Sequence, residues 1–246
     1  GVWCFDPIEA KPGTVVRWAA EGTESCREGD REWSPHGDTC YFALDLDRTG
    51  ELEISRVRER VEEHATVRVG DYPYRVQHLK LADSSRVDLS AENLARSQEE
   101  RARIEALWGL DSSRSFDIPL GAPLALMESR GSFGSRRTFN GQPRSPHSGE
   151  DYRATTGTAV MAVARGTVAL AEEHFFGGKS VYLDHGDGLV SMYMHLSSIE
   201  VEVGASVEPG DRIGRVGATG RVTGPHLHFG LRWRGARVDP AVLLGE

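Results

Sequence analysis

Gly224-Pro-His-Leu-His-Phe229 is the stretch that decides how the second half of this 246-residue chain folds. His226 and His228 alternate with Leu227 and Phe229, a period of two, which predicts a strand with one apolar face. Alternate side chains share a face, so both imidazoles point one way while Leu227 and Phe229 point into a core. Two histidines on one face of a buried strand need a reason. Metal binding joined to catalysis supplies one.

The pattern extends outward from there. Tyr193-Met-His195 predicts a second strand, with Tyr193 and His195 on one face and Met192 and Met194 on the other. Upstream, His147-Ser-Gly-Glu-Asp151 offers an imidazole and a carboxylate. Imidazole and carboxylate are the ligand chemistry of zinc. A catalytic zinc takes three protein ligands and leaves its fourth position to water. His147, Asp151, His195, His226 and His228 outnumber that need, which leaves two histidines for acid–base work. Spacing alone does not say which member of His226/His228 binds metal.

Several ordered pieces now stand together: Gly131-Ser-Phe-Gly134 with Asn140-Gly141, His147-x-x-x-Asp151, Asp184-His-Gly-Asp-Gly188, Tyr193-Met-His-Leu196, Gly217-Ala-Thr-Gly220, Thr223-Gly-Pro-His-Leu-His-Phe229 and Val238-Asp-Pro240. In this order they resemble the M23 (lysostaphin/LytM-like) zinc peptidases, which cut peptide crosslinks in bacterial cell walls. The resemblance runs from about Phe116 to Glu246. It implies one zinc ion per chain, held by His147, Asp151 and His228, with His195 and His226 as the unliganded catalytic pair. It also implies peptidoglycan as the substrate. The lead-in from Phe133 to Gly141 looks more like envelope-resident D,D-endopeptidases than secreted glycyl-glycine lysins. A D-Ala–diamino acid crosslink is therefore the expected bond. The alternative within the same fold is an inactive M23-like regulator that binds and activates a cell-wall amidase. Such regulators have lost metal ligands, and here every ligand position is filled. A regulatory protein partner fits either reading.

Three further residues carry expected substrate contacts. Tyr193 would donate to the developing oxyanion. Asn140 would hold a peptide carbonyl or amide. Arg221, grouped with Arg136, Arg137 and Arg144 in the loops expected to flank the groove, would pair with substrate carboxylates. Of the remaining histidines, His185 in its Gly/Asp-rich turn is expected to fix a hairpin. His36, His64, His78 and His174 are expected to be surface or packing residues.

Bulk composition sets limits. Lys and Arg number 29 against 37 Asp and Glu, a net charge of −8. That excludes a nucleic-acid binder of the basic kind, because no cationic excess is present to neutralise phosphate. No window has the apolar length of a membrane span. The first residues lack the charged and apolar regions of a signal peptide, so the expectation is a mature periplasmic or secreted form. Of Cys4, Cys26 and Cys40, a Cys26–Cys40 disulfide would close a polar loop, with Cys4–Cys40 as the alternative.

The expected class is mainly β. A small β-sandwich-like domain is predicted over 1–88, with a hairpin turn at Asp71-Tyr-Pro-Tyr74 between strands at 67–69 and 74–79. A helical connector follows over 89–115, capped by Ser90 and ended by Gly109, its charge run read as a solvated face. An antiparallel β peptidase domain is predicted over 116–246. Loops 132–146 and 174–179 would rim an open groove. Phe175-Phe176 would be either a hairpin tip folded on the core or a wall of that groove. Since nothing before Phe116 shows site chemistry, a fragment from about Arg114 onward is expected to act alone.

Overall fold

The computed structural model describes residues 5–79 and 89–245. They form two compact units: 1–73 with 236–238, and 74–235 with 239–246.

In the first unit, short strands alternate apolar and polar residues and fold into two sheets. β1 (Ile8–Ala10), β3 (Thr23–Glu28), β4 (Arg31–Trp33), β6 (Gly50–Arg58) and β7 (Val61–Val69) make a five-stranded sheet in the order β1-β7-β6-β3-β4. β2 (Val15–Ala19) and β5 (Thr39–Ala43) pair as a second. Val16, Trp18, Phe42, Leu52, Ile54 and Val67 close the core between them. Cys26 on β3 is bonded to Cys40 on β5, which ties one sheet to the other. Cys4 lies outside the described residues.

The second unit holds the histidines. Its large sheet contains β11 (Glu150–Tyr152), β12 (Ala159–Met161), β13 (Gly166–His174), β14 (Gly178–Asp184), β15 (Leu189–Ile199), β16 (Ser206–Val207), β17 (Arg212–Val216) and β18 (Leu227–Trp233). The main path runs β11-β18-β15-β14-β13-β16, with β17 joining β12 and β15. β18 lies between β11 and β15. Its Leu227, Phe229, Leu231 and Trp233 are fully buried on one face, as the period-two pattern predicted. Register then does the positioning: β18 pairs Asp151 with His228 on one side and Met194 with His228 on the other.

Two expectations for residues 67–115 are corrected. Val76–Leu79, β8, does not pair back with β7; it pairs in parallel with β9 (Arg136–Phe139), and β10 (Gln142–Pro143) completes that sheet. Asp71–Tyr74 is thus no hairpin turn, and the Tyr74 ring packs edge-on against Phe133 at 5.2 Å. The helix α1 (Ala91–Ala106) begins as expected, with Ser90 Oγ accepting from the Asn93 N–H. Its charge run is not wholly solvated. Glu100 is buried, pairs with Arg96, and accepts the Phe175 N–H at 2.9 Å. Beyond the helix, Leu107 is buried against Tyr182, Val190 and Met192. No helix among the described residues is long and apolar enough to cross a membrane.

Candidate active site

Three atoms converge at the centre of the site. His228 Nδ1 lies 3.1 Å from His147 Nε2 and 3.0 Å from Asp151 Oδ1, and His147 Nε2 lies 3.2 Å from the same oxygen. Metal–ligand bonds of about 2.0–2.1 Å on a tetrahedron place ligand atoms about 3.3 Å apart. The three donors are two imidazole nitrogens and one carboxylate oxygen, the set zinc prefers. The residues therefore fit the metal.

The local sequence explains the convergence. Gly149 lies between His147 and Asp151 and packs flat on the His228 ring. A Cβ there would sit 2.8 Å from His228 Nε2 and 2.6 Å from the Phe229 carbonyl. Only glycine lets the His147 loop come this close. The charges are arranged to match. Burial would raise the Asp151 carboxyl, but hydrogen bonds and charge from His147 and His228 hold it well below the usual carboxylate range. Burial works against a charged His147, yet Asp151 outweighs it and raises that imidazole. Burial pushes His228 down.

His195 and His226 form a second layer beside these donors. Their ring centroids are 5.0 Å apart. Each has Nδ1 tied to a backbone carbonyl: His195 to Thr219 O at 2.9 Å and His226 to Gly224 O at 2.9 Å. A carbonyl only accepts, so Nδ1 carries the proton in both rings and Nε2 keeps its lone pair. His226 Nε2 lies 3.6 Å from Asp151 Oδ1. Burial pushes the His195 pKa down to about 4, with His228 and His226 adding to the effect. His195 is therefore uncharged at neutral pH.

His195 departs from the expected geometry in an informative way. Its φ is +65°, a left-handed conformation that costs a non-glycine residue about 1–2 kcal/mol. The β14–β15 register slips at the same place. This bulge breaks the two-residue alternation and turns His195 into the groove that Met194 also lines. Two glycine loops hold it there. Its N–H donates to the Gly177 carbonyl at 2.8 Å. Gly220 permits the second contact, since a Cβ there would stand 2.3 Å from Gly178 N.

Tyr193 is the corresponding correction. It is wholly buried, pairs with Phe229 across the sheet, and its hydroxyl accepts the Val163 N–H and is bonded to Ser191. Burial pushes its phenol further up. It belongs to the core beneath the site and reaches no oxyanion. Behind it, His185 is buried between the Arg165 carbonyl and Ser191 Oγ, both at 2.7 Å, so it does more than fix a hairpin. Asn140 is the first residue of an exposed Asn-Gly hairpin turn, with φ of +51° and +81° at the two positions, and it does not line the groove.

The groove above the donors has a volume of about 780 Å³. Arg221 lines it, as do Arg137 and Arg144, whereas Arg136 does not and Arg130 does. Phe176 is 44% exposed and also lines it, so this ring is part of the groove wall, while Phe175 packs edge-on against it outside the lining.

Glu150 is the main site residue that the sequence reading passed over. It is buried on β11, on the face opposite Asp151. Its carboxylate accepts the N–H groups of Arg130, Ser132 and Phe133 at 2.8–3.1 Å, and the hydroxyls of Ser129 and Ser132. Ser132 Oγ in turn accepts the Asp151 N–H at 2.9 Å. One buried carboxylate thus fixes loop 129–133 against the strand that carries Asp151. The signal was present: a charged residue next to Asp151 on a strand must face inward. Glu150→Ala leaves the Ser132 and Phe133 N–H groups without their acceptor, while Arg130 keeps the Asp151 carbonyl, and the expected cost is about 3 kcal/mol. A fall in melting temperature of roughly 6–12 °C and faster amide exchange at 130–133 should follow. Unchanged exchange in that loop would refute this role.

Comparison with known proteins identifies the domain that holds these residues. Residues 145–240 match the model of peptidase family M23. This chain carries an M23 domain. The chain is 30% identical over 248 residues to the peptidoglycan DD-endopeptidase ShyA of Vibrio cholerae, covering 97% of this chain and 53% of that protein. It is 37% identical over 123 residues to the DD-endopeptidase ShyC of the same organism, covering 49% of this chain and 28% of ShyC. It therefore spans about half or less of these relatives. Among solved structures, an M23 peptidase from Pseudomonas aeruginosa is 27% identical, covers 98% of this chain and 96% of its own, and superposes with a TM-score of 0.71. The mainly β architecture around the M23 domain is the one expected from the sequence.

Proposed function

We propose that this chain is a zinc-dependent endopeptidase that hydrolyses peptide crosslinks of peptidoglycan in the cell envelope, acting on the D-Ala–diamino acid bond. The convergence of the His147, Asp151 and His228 donor atoms beside two histidines with free Nε2 atoms carries the reading. The DD-endopeptidase names of ShyA and ShyC support the choice of bond. Zinc held by the three donors supplies Lewis acidity and lowers the pKa of water from about 15.7 towards roughly 7.

The chain's own residues do the rest. His195 is uncharged at neutral pH and accepts a proton at Nε2, since Nδ1 is committed to Thr219. His226 offers the same atom in the same tautomer. A proton taken at either Nε2 can pass to the departing amine, and that of His226 lies 3.6 Å from the Asp151 carboxylate. The groove orients the peptide along the row of donors and shields it with Phe176 and Met194.

The test is direct. The purified chain should hold one zinc ion and convert a crosslinked muropeptide dimer into monomers with a new D-alanine carboxyl terminus, read by mass spectrometry. A zinc-loaded chain that leaves the crosslink intact refutes the proposal.

A further inference from the structure

Charge is distributed unevenly over this protein. The chain is acidic, with 37 carboxylates against 29 cationic side chains. Its arginines are widely neutralised: Arg27 by Glu32, Arg68 by Glu51, Arg165 by Glu208, Arg215 by Glu200 and Arg234 by Asp187. The groove is the exception. Four arginines line it, Arg130, Arg137, Arg144 and Arg221, and Asp151 is its only carboxylate. Asp151 is already committed to His147 and His228. Arg130, Arg137 and Arg221 make no ion pair among the described residues.

These arginines are also anchored. The Arg221 guanidinium stands 5.9 Å from the centre of the Phe176 ring, and the backbone N–H of Arg221 donates to the Phe176 carbonyl at 3.0 Å. The Arg130 N–H is shared between Glu150 Oε1 and the Asp151 carbonyl, which seats this residue beside the metal-ligand strand. Arg137 is on β9, and its carbonyl accepts the Arg144 N–H at 2.9 Å. Backbone hydrogen bonds thus fix where each side chain starts at the groove.

Arg130, Arg137 and Arg221 stand in one groove without a carboxylate to pair them, and in an acidic protein nearby carboxylates are abundant enough to do so. Their being left open points to an anionic ligand. The guanidinium fork matches a carboxylate in shape as well as charge, and an amide offers it only a neutral carbonyl. Resting on the endopeptidase reading, we propose that the groove rim selects stem peptides carrying free carboxylates over the same peptides with those carboxylates amidated, and over oligoglycine.

Binding tests this without relying on turnover. A stem tetrapeptide with free carboxylates and its carboxamide counterpart are titrated calorimetrically into the intact chain at low and moderate ionic strength. The carboxylate form should bind about ten-fold more tightly, and the ratio should shrink as salt rises. The combined Arg130→Gln, Arg137→Gln, Arg221→Gln variant should bring the ratio to about one, with zinc content and melting temperature unchanged. Equal binding of both forms by the parent, or a ratio that survives in the variant, overturns the proposal. Crosslinked dimers of both kinds, and pentaglycine, are then digested in parallel. Turnover of the D-Ala–diamino acid crosslink without charge preference rejects the rim while the endopeptidase reading stands, and faster cutting of pentaglycine overturns both the rim and the choice of bond. Charge-selective binding without any turnover rejects the endopeptidase reading and leaves the rim in place.

Discussion

His147→Ala, Asp151→Ala and His228→Ala should each lose most of the bound zinc, while His195→Ala and His226→Ala keep it and lose two or more orders of magnitude in kcat, roughly the range of acid–base help. The first three supply the atoms that lie within 3.0–3.2 Å of one another. Removing any one leaves two donors, too few for a catalytic zinc. The other two have Nδ1 spent on Thr219 and Gly224, and only Nε2 faces the site. Their loss removes a proton acceptor without touching the donor set. Metal analysis of the His226 and His228 variants decides the matter. A zinc-free His226→Ala beside a zinc-loaded His228→Ala would reverse the assignment within His-x-His.

The same residues show how far sequence reaches. Strand β18 was readable because a period of two survives in Leu227, Phe229, Leu231 and Trp233, all of them buried. His147 and Asp151 were readable because their residue types and order carry the chemistry, although only register across β11 and β18 brings Asp151 against His228. The prediction that Tyr193 and His195 share a face failed at one backbone angle. A left-handed residue inside a strand is set by the carbonyls of Gly177 and Thr219, which are distant in sequence. No propensity rule signals it. Asn140-Gly141 is the converse case. Its turn chemistry was plain, and the substrate role laid over it had no geometric support. Glu150 and Glu100 escaped notice because a carboxylate is read as solvated until the N–H groups that it accepts are known.

The boundary of the working unit is where structure most changes the expectation, and removing the helix should have a large effect. Sequence placed nothing of the site before Phe116, so a fragment starting at Arg114 was expected to suffice. In the folded chain, Leu107 is buried against Tyr182, Val190 and Met192, with Ile104 and Trp108 packed alongside. Glu100 accepts the Phe175 N–H, and Arg103 pairs with Glu172 on β13. The helix therefore covers an apolar face of the sheet and holds the hairpin that carries Phe176 into the groove. Cutting at Arg114 would expose that face and strand the Phe175 N–H, a loss of about 3–5 kcal/mol. We expect the 114–246 fragment to melt roughly 10 °C or more below an 89–246 fragment and to lose most of its activity. In the intact chain, Glu100→Ala should raise KM several-fold with zinc content unchanged, because it loosens the groove wall and leaves the metal ligands alone. Equal melting and equal turnover for the two fragments would make the helix a passive connector after all.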